Sequence, residues 1–233
     1  MGSIKTNLAG FQCIELASGL IATPASPIAP DLESGESIKR ASVVIDCTSN
    51  GTGHENKSRY YNNFSQNVRG FIAQGSEENF GKKYAHGIND QILSPKDKFI
   101  QIVSCNTHNI ACVTKTIALD DDPNNLIEGK YVCIRRANDI SQTDNFIPSP
   151  QVSIHDCSEN GSHHARDAVS LFSTLGQNLN LFSSSMKVNS QYMHVLWFYI
   201  KLKEPTTLNE VKEKLFTNKF ISMTNKDLTS SVF

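Results

Sequence analysis

The residue in this chain best placed for covalent chemistry is Cys105. The stretch Phe99-Ile-Gln-Ile-Val-Ser-Cys-Asn-Thr107 opens as a short apolar run of the kind a buried strand uses and breaks off in Ser104-Cys105-Asn106-Thr107. Ile110, Val113 and Ile117 then recur at i, i+3 and i+7, the spacing of one helix face. The thiol is thus predicted at a strand-to-helix junction, beside the first amides of a helix, whose dipole favours negative charge. The thiolate is the nucleophilic form of cysteine. The same position also suits a buried, inert thiol closing a strand, since free cysteine is among the most buried residue types.

Three other groups carry chemistry-bearing side chains. Arg135-Arg136 closes an apolar strand and offers guanidinium forks for an oxyanion or phosphate. Neighbours on a strand point to opposite faces, so at most one of them reaches a given ligand, and a solvated or ion-paired strand end is the plain alternative. His155, Cys157, His163 and His164 are zinc-ligand types, but His163 and His164 are adjacent rather than i, i+4, and no metal site is predicted. His164, near a helix start, suits an anion better. His194 lies in the apolar run Met193-His-Val-Leu-Trp-Phe198, where a histidine is either a satisfied core residue or the base that Cys105 would need.

The elements that must position these groups follow from pattern. Ala41–Cys47 reads as a strand, with the turn Ser49-Asn-Gly-Thr-Gly53 after it and a helix from about His54 to Gln66. Val68–Ala73 and Phe99–Val103 are further apolar strands. This alternation predicts a parallel α/β sheet, in which ligands bind beyond the carboxyl ends of the strands. Neither GxGxxG nor GxxxxGK[ST] is completed. Beyond Asp122 the texture changes. Strands at Lys130–Arg136, Leu181–Val188 and Met193–Leu202 surround a helix from Ser162, a capping box Thr207-x-x-Glu210 opens a last helix, and Phe220–Met223 reads as a final short strand.

The predicted fold is therefore α/β: a remnant of a Rossmann-like parallel sheet over 41–104, followed by an α+β catalytic domain with a mixed or antiparallel sheet over 105–233. Residues 1–40, broken by Pro24, Pro27 and Pro30, form a poorly readable N-terminal segment. Lys plus Arg total 22 against 23 Asp plus Glu, which gives no electrostatic reason to expect nucleic acid or an anionic membrane surface. No apolar run reaches the length of a membrane span. The six cysteines are irregularly spaced without a CxxC pair and are read as reduced thiols of a cytoplasmic protein.

Taken in order, these pieces resemble the archaeal-type (type II) glyceraldehyde-3-phosphate dehydrogenases. Ser104-Cys-Asn-Thr107 is similar to that family's active-site loop, Val43–Gly53 to its strand and Gly turn, and Gln74-Gly75 to its Gln-Gly-Gly segment. Ile134-Arg-Arg-Ala137, Ser162-His-His-Ala-Arg-Asp167 and Met193-His194 follow in the family's order and at about its spacing. Relative to the family, the chain reads as incomplete or diverged at both ends, Ser76 stands where a second glycine is expected, and His108 replaces a small residue.

The resemblance implies a phosphorylating oxidation of glyceraldehyde 3-phosphate. Cys105 would be the nucleophile, carrying a thiohemiacetal and then a thioester, and His194 the base. Ser104, Asn106, His164, Ala165 and Arg136 would contact substrate, and Gly75, Ser76 and Arg135 would contact NAD or NADP. It also implies triose phosphate and inorganic phosphate as partners and a homotetramer. A second reading is a non-catalytic, cofactor-deficient paralogue or fragment that binds sugar phosphates or another subunit.

Overall fold

The computed structural model describes residues 3–6, 12–15, 34–48, 50–75, 77–137, 150–155, 158–190 and 193–226. They divide into two compact units. One takes in the chain up to His86 together with Asp90–Ser104; the other comprises Gly87–Asn89 and the chain from Cys105 onward.

In the first unit, β1 (Ser3–Thr6) and β2 (Gln12–Glu15) pair antiparallel, and α1 (Ser34–Arg40) follows. Neither strand was predicted from sequence: each is four residues long and at least half polar, too short for period-2 alternation to register. β3 (Val43–Asp46), β4 (Gly70–Ala73), β5 (Lys82–Tyr84) and β6 (Phe99–Ile102) form an all-parallel sheet in the order β3-β4-β6-β5. Between β3 and β4 the chain is helical through α2 (Thr52–Asn56), a π turn at Lys57–Tyr61 and α3 (Asn62–Phe64). Asp46 pairs with Ala73 and Ala73 with Gln101, so β3, β4 and β6 end in one row.

The core of this unit is aromatic. Tyr61 stacks on Phe71 with ring centres 4.7 Å apart, Phe71 stacks on Phe99 at 5.2 Å, and Ile38, Val44, Val68 and Phe80 complete it. Such ring pairs add about 0.5–1.5 kcal/mol each beyond the apolar area they bury. Only one face of β3 joins this core: Val44 and Asp46 are buried, whereas Val43 and Ile45 are 45% and 51% exposed.

Asp46 is a buried carboxylate at the end of β3, and it is fully ligated. It accepts from the Thr48 amide (3.0 Å), the Thr48 hydroxyl (2.5 Å), Asn56 Nδ2 (3.0 Å) and Tyr61 Oη (2.7 Å). Burial alone would raise its pKa, but these donors outweigh burial and hold the carboxyl below its ordinary value. The network ties the strand end to the helical segment that follows.

In the second unit, β7 (Leu126–Arg135), β8 (Gln151–Val152), β9 (Leu181–Lys187) and β10 (Val195–Leu202) form a mixed sheet in the order β10-β7-β9-β8. β7 and β9 run parallel, and the outer pairs are antiparallel. α4 (Cys105–Thr114), which continues as a π turn at Lys115–Leu119, and α5 (His163–Ser173) pack on each other and on this sheet. Ile110, Ala111, Tyr131, Cys133, Ala168, Leu171, Phe172 and Leu181 are buried there. α6 (Leu208–Thr217) starts with the predicted capping box: the Thr207 amide donates to Glu210 Oε2 at 2.7 Å and the Glu210 amide to Thr207 Oγ1 at 3.3 Å.

The predicted strand at Phe220–Met223 is instead a turn followed by irregular backbone. Asn218 accepts the Phe220 amide on its side chain (2.8 Å) and the Ile221 amide on its carbonyl (3.0 Å), a local alternative to strand pairing. Of the Pro-punctuated stretch 146–153, residues 150–153 are described, and Gln151–Val152 there forms β8.

A carboxylate whose folded pKa is depressed stabilises the fold above its unfolded pKa and loses that contribution as pH falls through the folded value. Asp46→Asn is therefore expected to cost about 1–3 kcal/mol near neutral pH. It should also flatten the loss of stability expected of the wild type as pH falls. Urea unfolding followed by circular dichroism at a series of pH values checks both.

Candidate active site

In the first unit, the candidate residues lie at strand ends. β6 runs out through Val103 into Ser104, and the loop after β4 lies directly against it. A Cβ on Gly75 would stand 2.4 Å from the Ser104 nitrogen and 2.6 Å from its α-carbon, so only glycine fits this approach. Gln101 Nε2 donates to the Gly75 carbonyl at 3.3 Å.

Two residues further on, Glu77 turns inward and is fully buried. Its carboxylate accepts the Gly51 amide at 2.6 Å and the His54 amide at 3.1 Å, both at the turn that opens α2. A Cβ on Gly53 would lie 2.9 Å from the Glu77 side chain. Ser76 lies outside the described residues.

A dinucleotide's phosphates need open amides at a glycine turn. Here a carboxylate of the chain itself takes the Gly51 and His54 amides, and backbone fills the space beside Gly75.

In the second unit, Cys105 is the first residue of α4 and its thiol is exposed. Asn106 and Thr107 behind it are buried, and Thr107 Oγ1 donates to the His164 carbonyl at 3.5 Å, which links the starts of α4 and α5. On β7 below, burial pushes the Cys133 thiol up to about 11. Arg135 acts against that rise and Cys105 adds to it, so each lies within electrostatic range of Cys133. Arg135 Nε is buried and has no hydrogen-bond partner among the described residues.

His194 stands just before β10, where its Nδ1 accepts the Arg136 amide at 3.1 Å. Because a backbone N–H can only donate, the neutral ring carries its proton on Nε2. Protonating the ring as a base requires release of the Arg136 bond. Arg136 thus meets His194 through its main chain.

His164 is buried in the first turn of α5, its ring centre 3.9 Å from that of His163. Ala165 is buried as well, and its amide donates to Ser183 Oγ at 3.0 Å. That hydroxyl also pairs with Ser162 Oγ at 2.7 Å. His155 contacts Ser184 Oγ at 3.1 Å from an exposed position, and Cys157 is outside the described residues. Among the described residues no three His, Cys, Asp or Glu side chains gather as a metal site.

Sequence reading missed Glu77, Ser162 and Ser183. An alternating serine pair facing a helix start, Ser183 and Ser185, is a faint signal for the last. Glu77 leaves none, since its partners lie 26 and 23 residues away.

No protein-family model matches this chain. Curated proteins do. Over 212 residues it is 27% identical to glyceraldehyde-3-phosphate dehydrogenase 2 of Methanosarcina acetivorans, which covers 88% of this chain and 57% of that protein. It is 27% identical over 191 residues to the glyceraldehyde-3-phosphate dehydrogenase of Picrophilus torridus, 82% of this chain and 52% of the relative. With that of Pyrobaculum calidifontis it shares 24% over 182 residues, 76% and 48% respectively. The chain spans roughly half the length of these relatives.

The Gly75 contact is testable. Gly75→Ala must push apart two stretches of backbone, an overpacking expected to cost about 1–3 kcal/mol. Ala substituted at Gly176, where a Cβ meets nothing within 4 Å, controls for glycine replacement as such, although its positive φ adds local strain. Urea midpoints of the two variants give the comparison, with Gly75→Ala expected to fall further.

Proposed function

We propose, from its similarity to archaeal glyceraldehyde-3-phosphate dehydrogenases, that the chain serves the phosphorylating oxidation of glyceraldehyde 3-phosphate. The observation that carries this reading is the exposed Cys105 thiol at the head of α4, in the same unit as Arg135 on β7, whose Nε is buried and has no hydrogen-bond partner among the described residues. Cys105 Sγ adds to the aldehyde carbon and its proton ends on the carbonyl oxygen, giving a thiohemiacetal. The His194 Nε2–H is a donor for that oxygen while charge develops on it. Arg135 or Arg136 and the first turn of α5 at His164 and Ala165 suit the phosphate of a triose phosphate, with Ser104 and Asn106 flanking the carbonyl. NAD or NADP, the cofactor the resemblance implies, would supply the hydride acceptor.

A second reading is favoured by one specific observation. Glu77 occupies the turn amides and Ser104 fills the space at Gly75, as a relative that binds sugar phosphate without a dinucleotide would have it. Calorimetric titration with NAD⁺, NADP⁺ and glyceraldehyde 3-phosphate separates the two, together with oxidation assays in phosphate against Cys105→Ser. Turnover abolished by Cys105→Ser is expected of the dehydrogenase. Triose phosphate binding with no response to either nucleotide gives the second reading.

The same resemblance supports our reading of the protein as a cytoplasmic homo-oligomer, a tetramer by resemblance. No helix among the described residues is long and apolar enough to cross a membrane. Supporting assembly, one face of the mixed sheet carries Val195, Trp197 and Tyr199 at 43%, 58% and 45% exposure, on the side away from the buried Tyr131 and Cys133. A patch of this kind on a monomer is unusual. Trp197→Glu is expected to shift the protein toward monomer without lowering its helix content, as read by light scattering after size exclusion and by circular dichroism.

A further inference from the structure

We infer that Glu77 is a positioning residue for the Ser104–Cys105 segment; the inference rests on the reading of Cys105 as the nucleophile. Within the first unit the Glu77 amide donates to the Gln74 carbonyl at 3.1 Å, which ties Glu77 to the turn that carries Gly75. The Glu77 carboxylate, out of contact with solvent, bonds the Gly51 and Gly-flanked His54 amides at 2.6 and 3.1 Å, and its side chain fills the space over Gly53. Charge-assisted bonds of this sort are about twice as strong as neutral ones. They pin the loop after β4 to the turn after β3.

The other side of that loop is Gly75, in backbone contact with Ser104. Gln101 braces the loop from β6, donating to the Gly75 carbonyl at 3.3 Å and accepting the Asn79 amide at 3.1 Å. The loop is thus a wedge held at Glu77 and pressed on Ser104, whose carbonyl carbon is bonded to the Cys105 nitrogen. Releasing the carboxylate frees the wedge, and with it the path of the backbone that leads into the nucleophile.

A cap with no further role would lower stability and leave the chemistry of the folded protein alone. The experiment therefore measures iodoacetamide labelling of individual thiols in the full chain by peptide mass spectrometry, with the exposed Cys47 as internal reference. In the wild type, Cys105 labelling faster than Cys47 is expected. If it is not faster, the nucleophile reading itself fails, whatever the variants do.

In Glu77→Gln, the Cys105-to-Cys47 rate ratio is expected to fall about tenfold, the scale on which sub-ångström misplacement acts. Glu77→Asp keeps the charge but is one methylene shorter, so it should recover part of the ratio. If the wild type also turns over glyceraldehyde 3-phosphate, Glu77→Gln lowers kcat with KM little changed. Folded variants that keep the wild-type ratio overturn the inference, and so does loss of the fold in both variants, which would make Glu77 purely a cap.

Discussion

The parallel ladder of β3, β4 and β6 is the constraint from which the first unit's reactive end follows. Parallel strands leave the sheet at the same edge, and here the register sets Asp46, Ala73 and Gln101 side by side. Three connections must then leave one edge within a few ångströms of each other. Glycines at 53 and 75 make room, Gly51 supplies a left-handed turn with φ of 87°, and two buried carboxylates, Asp46 and Glu77, take up backbone and side-chain donors at that edge. Those acids neutralise the donor-rich end of the sheet from within, at the place where a doubly wound fold usually receives its ligand.

What could be read from sequence was what repeats along it. β3, β4, β6, β7, β9 and β10 announce themselves as apolar runs, α4 and α5 by their spacing, and α6 by Thr207 and Glu210. The α/β class with a parallel sheet and a second mixed sheet followed from these. Local competition defeated pattern at Phe220–Met223, where the side chain and carbonyl of Asn218 capture the amides a strand would need. β1 and β2 were too short and too polar to see.

For the site, residue types were legible and their states were not. Sequence names Cys105, His194 and the arginines, but not that Nδ1 of His194 is taken by the Arg136 amide or that the Ala165 amide is held by Ser183. Such facts depend on contacts across 58 and 18 residues, and no periodicity encodes them. Gly75 shows the difference most sharply. Resemblance marks it as a cofactor contact, while the packing supplies a sufficient reason for glycine in the backbone of Ser104 alone.

β10 has a consequence of a different kind. It is an outer strand of its sheet, and among the described residues nothing pairs with its far edge. Its sequence, Val-Leu-Trp-Phe-Tyr-Ile-Lys-Leu, combines β-branched and aromatic residues with a single charge at Lys201. An open edge with that composition is a template for strand addition from another molecule. Handling of the purified chain will therefore be governed by this edge: concentrated or heated samples are prone to precipitate through it, and a second charge beside Lys201 is the simplest gatekeeper against that.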